Sequence, residues 1–375
     1  MKNSPVIVSA DIITVYGHGL DQCWNGFMAR RRPFSAVTRF PVTGIEGVVS
    51  ATVPDFPHDS AMSLAEQLLR KTAMTAMDLP PDAELFLATT VGEIDLLEQE
   101  ILLQKTEKCA STCNSLLAKT KAIFGKNHAS LISAACASGN MALARAAAKI
   151  KNGSIEYAIV AGCDIVSEFV FSGFASLGAI DSNGARPYDR DRAGLTLGEA
   201  AAVIVLASED AARRDSLPRL ARLGGWGTSC DAAHITAPMS DGLQLAAAIR
   251  HVLATAGISP SEIGGVIGHG TGTIFNDSME VKALKAVFNE NYKPLFSTKG
   301  GVGHTLGAAG IIQAAVAVRA IQNMFLPPQT GLREPMPGAE RMVSGQAQKL
   351  ITPKILSLNA GFGGINAVLL IEGCA

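Results

Sequence analysis

Short β-branched apolar runs alternate with longer, alanine-rich segments along most of this 375-residue chain. The runs at 5–12 (PVIVSADI), 85–91 (LFLATTV), 157–163 (YAIVAGC), 201–207 (AAVIVLA), 265–268 and 367–371 have the length and composition of strands. The segments 61–77, 138–151, 242–256, 278–288 and 308–324 have helix length and helix-forming composition. Strands that are apolar at successive positions are buried on both faces. Alternated with helices, they predict an α/β protein with buried, largely parallel sheets.

Two of the predicted helices are alike. Residues 138–150 (SGNMALARAAAKI) and 309–321 (AGIIQAAVAVRAI) both open on a small residue and glycine and carry few charges. A helix lined by alanine and glycine on most sides is expected at the centre of a fold, packed closely against its neighbours. The pattern alone leaves two readings open: two ordinary core helices, or the matched helices of a duplicated half-domain.

Composition narrows the class. Hydrophobic residues make up 48% and charged residues 17%, enough apolar surface for an extensive core and too little charge for disorder. The formal net charge of −1 argues against nucleic acid as a partner. Of the cysteines at 23, 109, 113, 136, 163, 230 and 374, only Cys109 and Cys113 are spaced like ligands, and no second Cys/His pair completes a metal site. Free thiols in a chain of this size suggest a reducing compartment. The N-terminal MKNSPVIVSADIITVYGHG is too polar for a signal-peptide core, and no run of 18 apolar residues could span a bilayer. A cytoplasmic location without membrane contact is expected.

Three separated stretches carry the chemistry. Cys136 lies in AACASGN, where an apolar strand-like run, 131–135, meets a helix start. Such a position is near the positive end of a helix, which favours thiolate, and small neighbours leave room for a thioester. His269 lies in GHGTGTIFND, whose glycines permit close backbone approach and whose Thr271 and Thr273 offer hydroxyls. Asp277 and Glu280, three apart, share a helix face. Lys299 and His304 lie in STKGGVGHTLGAAG. Its glycines miss the spacing of a dinucleotide loop, and no ribose-binding acid follows. A small-flanked cysteine with two histidines and a lysine is what thiol-based acyl transfer needs.

These stretches resemble the β-ketoacyl-[acyl-carrier-protein] synthases of the thiolase superfamily. The nucleophile sits in a similar Ala-Cys-Ala-(Ser/Thr)-Gly setting. The family's His-Gly-Thr-(Gly/Ser)-Thr is nearly complete, and Ser-x-Lys-x-x-x-x-His-x-x-Gly-Ala-Ala-Gly fits at every specified position. NAGFGGINA (359–367) is similar to the family's glycine-rich C-terminal loop, with Ala360 for its first phenylalanine and Ile365 for its threonine. RPYDRDRAGLTLGEAAAVIVLAS (186–208), DAAHITAP (231–238) and GFAS with Phe174 extend the match, which is weakest before Ser130, where the loops between Val91 and Cys109 look shortened.

The resemblance implies a thiolase-like fold: two related α/β halves, 1–214 and 215–375, in five α-β-α-β-α layers, divided near 211–218 (AARRDSLP). It implies decarboxylative Claisen condensation of malonyl-acyl-carrier protein with an acyl group held on Cys136, in fatty-acid, polyketide or polyene synthesis. His269 and His304 would bind the thioester oxygen, and Lys299 would support them, steadied by Asp277 and Glu280. Thr271 and Thr273 would hold the phosphopantetheine arm, and Phe174 an acyl-pocket wall. Phe362 would gate the site, its N–H joining that of Cys136 in an oxyanion hole, with Gly361 and Gly363 beside the substrate. No cofactor is expected beyond the phosphopantetheine that acyl carrier protein brings. Pairing as a homodimer, or as a heterodimer with a chain-length-factor-like subunit, is implied. Two alternatives fit less well: a thiolase acting on coenzyme A thioesters needs a second cysteine in the C-terminal loop, and a non-catalytic chain-length subunit lacks the nucleophile.

Overall fold

The computed structural model describes residues 3–42, 47–56, 62–73, 79–102 and 113–374; Cys109 lies outside them. Ten strands form its frame: β1 (Pro5–Thr14), β2 (Glu84–Ala88), β3 (Ala129–Ile132), β4 (Tyr157–Asp164) and β5 (Ala200–Ser208), then β6 (Ala221–Cys230), β7 (Gly265–Ile267), β8 (Leu295–Phe296), β9 (Lys354–Gly361) and β10 (Ile365–Glu372). Their spatial order is β8-β7-β9-β10-β6-β1-β5-β4-β2-β3. Read outward from the β6–β1 junction, both halves repeat one scheme. The first two pairings are antiparallel and the next two parallel. The short helix Glu209–Arg214 connects β5 to β6.

The alternation of side chains along these strands separates the layers. On β5, Ala200, Ala202, Ile204 and Leu206 face a central cluster, while Ala201, Val203, Val205 and Ala207 face an outer one. On β10, Leu369 and Ile371 turn to the centre and Val368 and Leu370 to the opposite outer layer. Helix α1 (Leu64–Ala73) covers the first outer face through Leu64, Leu68 and Leu69. On the second, α3 (Leu243–Ala256) contributes Leu245, Ile249 and Val252, and α4 (Ile274–Phe288) Leu284 and Phe288. Between the sheets lie α2 (Ser138–Lys151) and α5 (Ala309–Asn323). The result is the expected five-layered α-β-α-β-α arrangement.

The two alike helices meet at their first turns. A Cβ on Gly139 would stand 2.9 Å from the Gly307 carbonyl and from the Ile311 nitrogen, and one on Gly310 would stand 2.4 Å from the Asn140 nitrogen. Only glycine allows this approach, and it brings the two loops that precede the helices together.

Several expectations need correction. The sheet is mixed rather than largely parallel: β9 and β10 are joined by a three-residue turn, in which Gly363 and Gly364 take positive φ, and a link that short permits only antiparallel pairing. The sequence pattern also passed over β8, β9 and β6 (ARLGGWGTSC), the last because its glycines hide the alternation. At Gly227 a Cβ would lie 2.9 Å from the Ala248 carbonyl of α3. The helix expected at 61–77 is seen as Leu64–Ala73, the residues at 61 and 74–77 lying outside those described. Helix α4 starts at Ile274 rather than 278, capped by the Thr273 hydroxyl, which puts Asp277 in its first turn.

Candidate active site

After β3 the chain reverses at Ala135, a non-glycine residue at φ 47, and enters α2 at Ser138. The Ser138 hydroxyl fastens this turn, accepting from the Ala134 N–H (2.8 Å) and donating to the Ala135 carbonyl (2.6 Å). A left-handed alanine costs about 1–3 kcal/mol, and here it aims Cys136 into a cavity of about 290 Å³. The residue is 6% exposed. Burial pushes the thiol up to about 12, against the pull of the Lys299 charge and with a smaller upward push from Asp164. Burial thus opposes the thiolate that the helix start favours.

His269 follows β7 and is held through its backbone. The Glu280 carboxylate accepts from the N–H groups of His269 (2.6 Å) and Gly270 (2.8 Å) and from the Tyr188 hydroxyl (2.8 Å). Asp277 accepts from Thr271 N–H (3.0 Å), Gly272 N–H (3.3 Å) and Tyr188 N–H (2.8 Å). The acidic pair therefore shapes the GHGTGT loop directly and acts on Lys299 through space, where the sequence reading had it holding the lysine. Burial raises the Glu280 carboxyl to about 7 and lowers the Lys299 ammonium to about 8, partly offset by the charges on Glu280 and Asp277. The Lys299 ammonium donates to the His269 carbonyl (2.6 Å) and stands 3.3 Å from His269 Nδ1.

His304 stands with its ring centroid 5.3 Å from that of His269, the rings nearly perpendicular. Leu306 N–H donates to His304 Nδ1 (3.2 Å), so the neutral ring carries its proton on Nε2 and is a hydrogen-bond donor there. Burial and the Lys299 charge hold both imidazoles well below their usual pKa, hence neutral. The turn after His304 is anchored by Asp164, which accepts from Gly307 N–H (2.7 Å), the Thr89 hydroxyl (2.8 Å) and Thr90 N–H (3.0 Å).

Cys136, His269, His304, Thr271, Thr273, Phe174, Gly361 and Phe362 all line the one cavity, while Lys299, Asp277 and Glu280 stand behind it. Phe174 bridges the ring of Phe362 (5.4 Å) and that of His304 (6.4 Å). A Cβ on Gly361 would lie 3.2 Å from Cys136 N, which puts the glycine-rich loop against the nucleophile turn. Gly363 is displaced from its expected place: its N–H goes to the Ile235 carbonyl and Gly364 lines the cavity instead. Sequence reasoning missed Asp164, Tyr188, Gln313 and Asn359. The available signal was a lone polar residue in an otherwise apolar element, as in YAIVAGCD and AGIIQAAVAV. Among the described residues no group of three His, Cys, Asp or Glu side chains could hold a metal ion.

Residues 106–212 match the sequence model described as beta-ketoacyl synthase, N-terminal domain, and residues 220–333 the one described as beta-ketoacyl synthase, C-terminal domain. The chain belongs to the β-ketoacyl synthase family. It is 29% identical to 3-oxoacyl-[acyl-carrier-protein] synthase 2 of Synechocystis over 410 residues, covering 99% of this chain and 98% of the relative. Among solved structures it is similar to a chain of the ishigamide ketosynthase/chain length factor, with 28% identity, a TM-score of 0.89 and full coverage of both chains. It is also similar to a chain of the ketosynthase–chain length factor complex of Xenorhabdus doucetiae, with 26% identity, a TM-score of 0.80 and coverage of 99% and 98%. The thiolase-like fold and the condensing, acyl-transferring class follow, in fatty-acid or polyketide synthesis. No helix of the described residues is long and apolar enough to cross a membrane.

Proposed function

We propose that this β-ketoacyl synthase condenses malonyl-acyl-carrier protein with an acyl group carried on Cys136. The observation that supports it is one cavity lined by Cys136, His269 and His304, with the buried Lys299 behind them. The Cys136 sulfur attacks the acyl thioester, and the N–H groups of Cys136 and Phe362 receive the developing oxyanion. The carrier thiol leaves with the proton. Malonyl thioester then enters with its carbonyl oxygen towards His304 Nε2–H and His269, carbon dioxide departs, and the enolate carbon attacks the Cys136 thioester carbonyl; the Cys136 sulfur leaves with the electrons of the C–S bond and takes a proton from water. Thr271 and Thr273, whose hydroxyls lie 2.9 Å apart on the cavity wall, contact the pantetheine arm. Phe174 and Phe362 close the acyl side, and no metal or redox cofactor takes part.

The halves 1–214 and 215–375 serve as one functional unit, one carrying the nucleophile and the other the histidines and lysine. Acyl carrier protein is the partner that delivers both thioesters. A chain-length-factor-like subunit is the proposed second protomer, supported by the ketosynthase–chain length factor complexes of similar fold. Intact-protein mass spectrometry with acyl-carrier proteins tests the central step: Cys136→Ala should lose the acyl mass shift although the other six cysteines remain. A variant that still takes up the full acyl mass refutes the assignment.

A further inference from the structure

Two buried amides behind His269 have no part in the chemistry so far. Gln313, on α5, donates from Nε2 to the Gly268 carbonyl (2.9 Å). A carbonyl only accepts, so the Gln313 amide cannot be turned over, and its Oε1 faces Asn359 Nδ2 (2.6 Å) and the Ser357 hydroxyl (2.9 Å). The Asn359 nitrogen is thereby committed to Gln313, and its Oδ1 is presented to His269 Nδ1 at 3.3 Å. Gln313, Asn359, Ser357 and His269 are all buried.

We propose that Asn359, oriented by Gln313, is the positioning residue that holds His269 in its Nδ1–H form, so that His269 Nε2 accepts the Cys136 proton during acyl transfer. An amide oxygen only accepts; when Nδ1 donates to it, Nε2 is left with a bare lone pair. His304 cannot serve in this way, because its Nδ1 accepts from Leu306 N–H and its Nε2 is protonated. The two imidazoles thus have different forms: one a proton acceptor, the other a donor.

The Lys299 ammonium, 3.3 Å from the same Nδ1, favours the opposite form of His269, with the proton on Nε2. Nδ1 cannot be donor to Asn359 and acceptor from Lys299 at once. Contact with Asn359 suits the loading half-reaction, and contact with Lys299 suits decarboxylation, where His269 Nε2–H can donate to the enolate oxygen. In loading, the S–H bond of Cys136 breaks, its proton goes to Nε2, and the sulfur pair forms the new C–S bond. The carrier sulfur leaves with the electrons of the old C–S bond and takes the proton back from Nε2, returning His269 to the neutral Nδ1–H ring.

This inference rests on the acyl-transfer reading above, and its test separates the two. In the wild-type chain with ¹⁵N-labelled histidine, the His269 resonances, assigned by their loss in His269→Ala, should show a protonated Nδ1 and a bare Nε2. A resting ring protonated on Nε2 overturns the proposal. In Asn359→Leu, acyl transfer from acyl-carrier protein to Cys136 should slow about a hundredfold, the size expected for a lost proton acceptor. Malonyl decarboxylation by the same variant should fall far less than acyl transfer does, and a cooperative urea-unfolding transition reports that the variant is folded. Gln313→Leu, which removes the orienting amide, should reproduce that split. Acylation at Cys136 that ignores Asn359 sinks this proposal alone, whereas acylation that does not occur at Cys136 sinks the functional reading.

Discussion

Gly310→Ala tests the close approach of the two central helices on which the site depends. The added methyl would stand 2.4 Å from the Asn140 nitrogen and 2.6 Å from its Oδ1, where ordinary contact begins at 3.4 Å. The first turns of α2 and α5 must then part by about 1 Å, and overpacking of this kind costs about 1–3 kcal/mol. Alanine regains about 1 kcal/mol of helix propensity, so a net loss of up to about 2 kcal/mol is expected. Cys136 and His304 precede these turns, and a misplacement of about 1 Å costs on the order of a hundredfold in rate. Urea unfolding reads the first effect, and the initial rate of acyl-enzyme formation by intact mass reads the second. Gly173→Ala is the control: it sits in the helix Glu168–Ser176 with nothing within 4 Å of the new methyl, and stability should hold or rise slightly. A Gly310→Ala chain as stable and as fast as wild type would refute the argument.

His304→Ala should keep appreciable acyl transfer to Cys136 while losing carbon dioxide release by about a hundred- to a thousandfold, the usual cost of one charge-stabilising donor; equal loss of both half-reactions would make it structural. Because burial raises the Cys136 thiol to about 12, its thiolate fraction grows tenfold per pH unit throughout the neutral range. Alkylation by iodoacetamide should therefore still be climbing at about pH 9, and a plateau below that refutes the shift. Glu280→Gln places an N–H where a backbone N–H now donates, and should cost about 1–3 kcal/mol in urea unfolding; an unchanged midpoint would show that the carboxylate does not shape the loop. Light scattering should find the chain paired when it is co-expressed with a chain-length-factor-like subunit, and a fully active monomer at micromolar concentration would remove the proposed second protomer.

The catalytic loops were legible because their chemistry demands unusual residues at fixed spacing: small neighbours around Cys136, glycines around His269, and the Lys299–His304 interval. The alike helices were legible too, since close approach requires glycine at the crossing. Strand direction was not, because a run apolar at every position reads the same in parallel and antiparallel sheets; only the length of the link between β9 and β10 decides it. The placing of Asp277 and Glu280 was recovered but not their action. Spacing puts the two on one face, but only the fold shows that their oxygens meet the N–H groups of 269–272. Gln313 and Asn359 lie 46 residues apart in sequence, and no local pattern joins them.

The distribution of charge around the cavity bears on why decarboxylation would occur there. No lysine or arginine lines it among the described residues, and its one carboxylate, Asp231, is occupied by Asn366 Nδ2 (2.7 Å) and Met239 N–H (2.9 Å). A malonyl carboxylate entering this space leaves water without gaining a cation, so its ground state is not specially stabilised. As carbon dioxide departs, negative charge moves from the carboxylate to the thioester oxygen, where His304 offers Nε2–H. An interaction that strengthens only as charge moves raises the rate, whereas one made equally to the substrate does not. Lys299 fits the same logic from one layer back. Its ammonium touches His269 and not the cavity, so on the proposed mechanism its field would favour the developing enolate through the histidine without fixing the carboxylate in place.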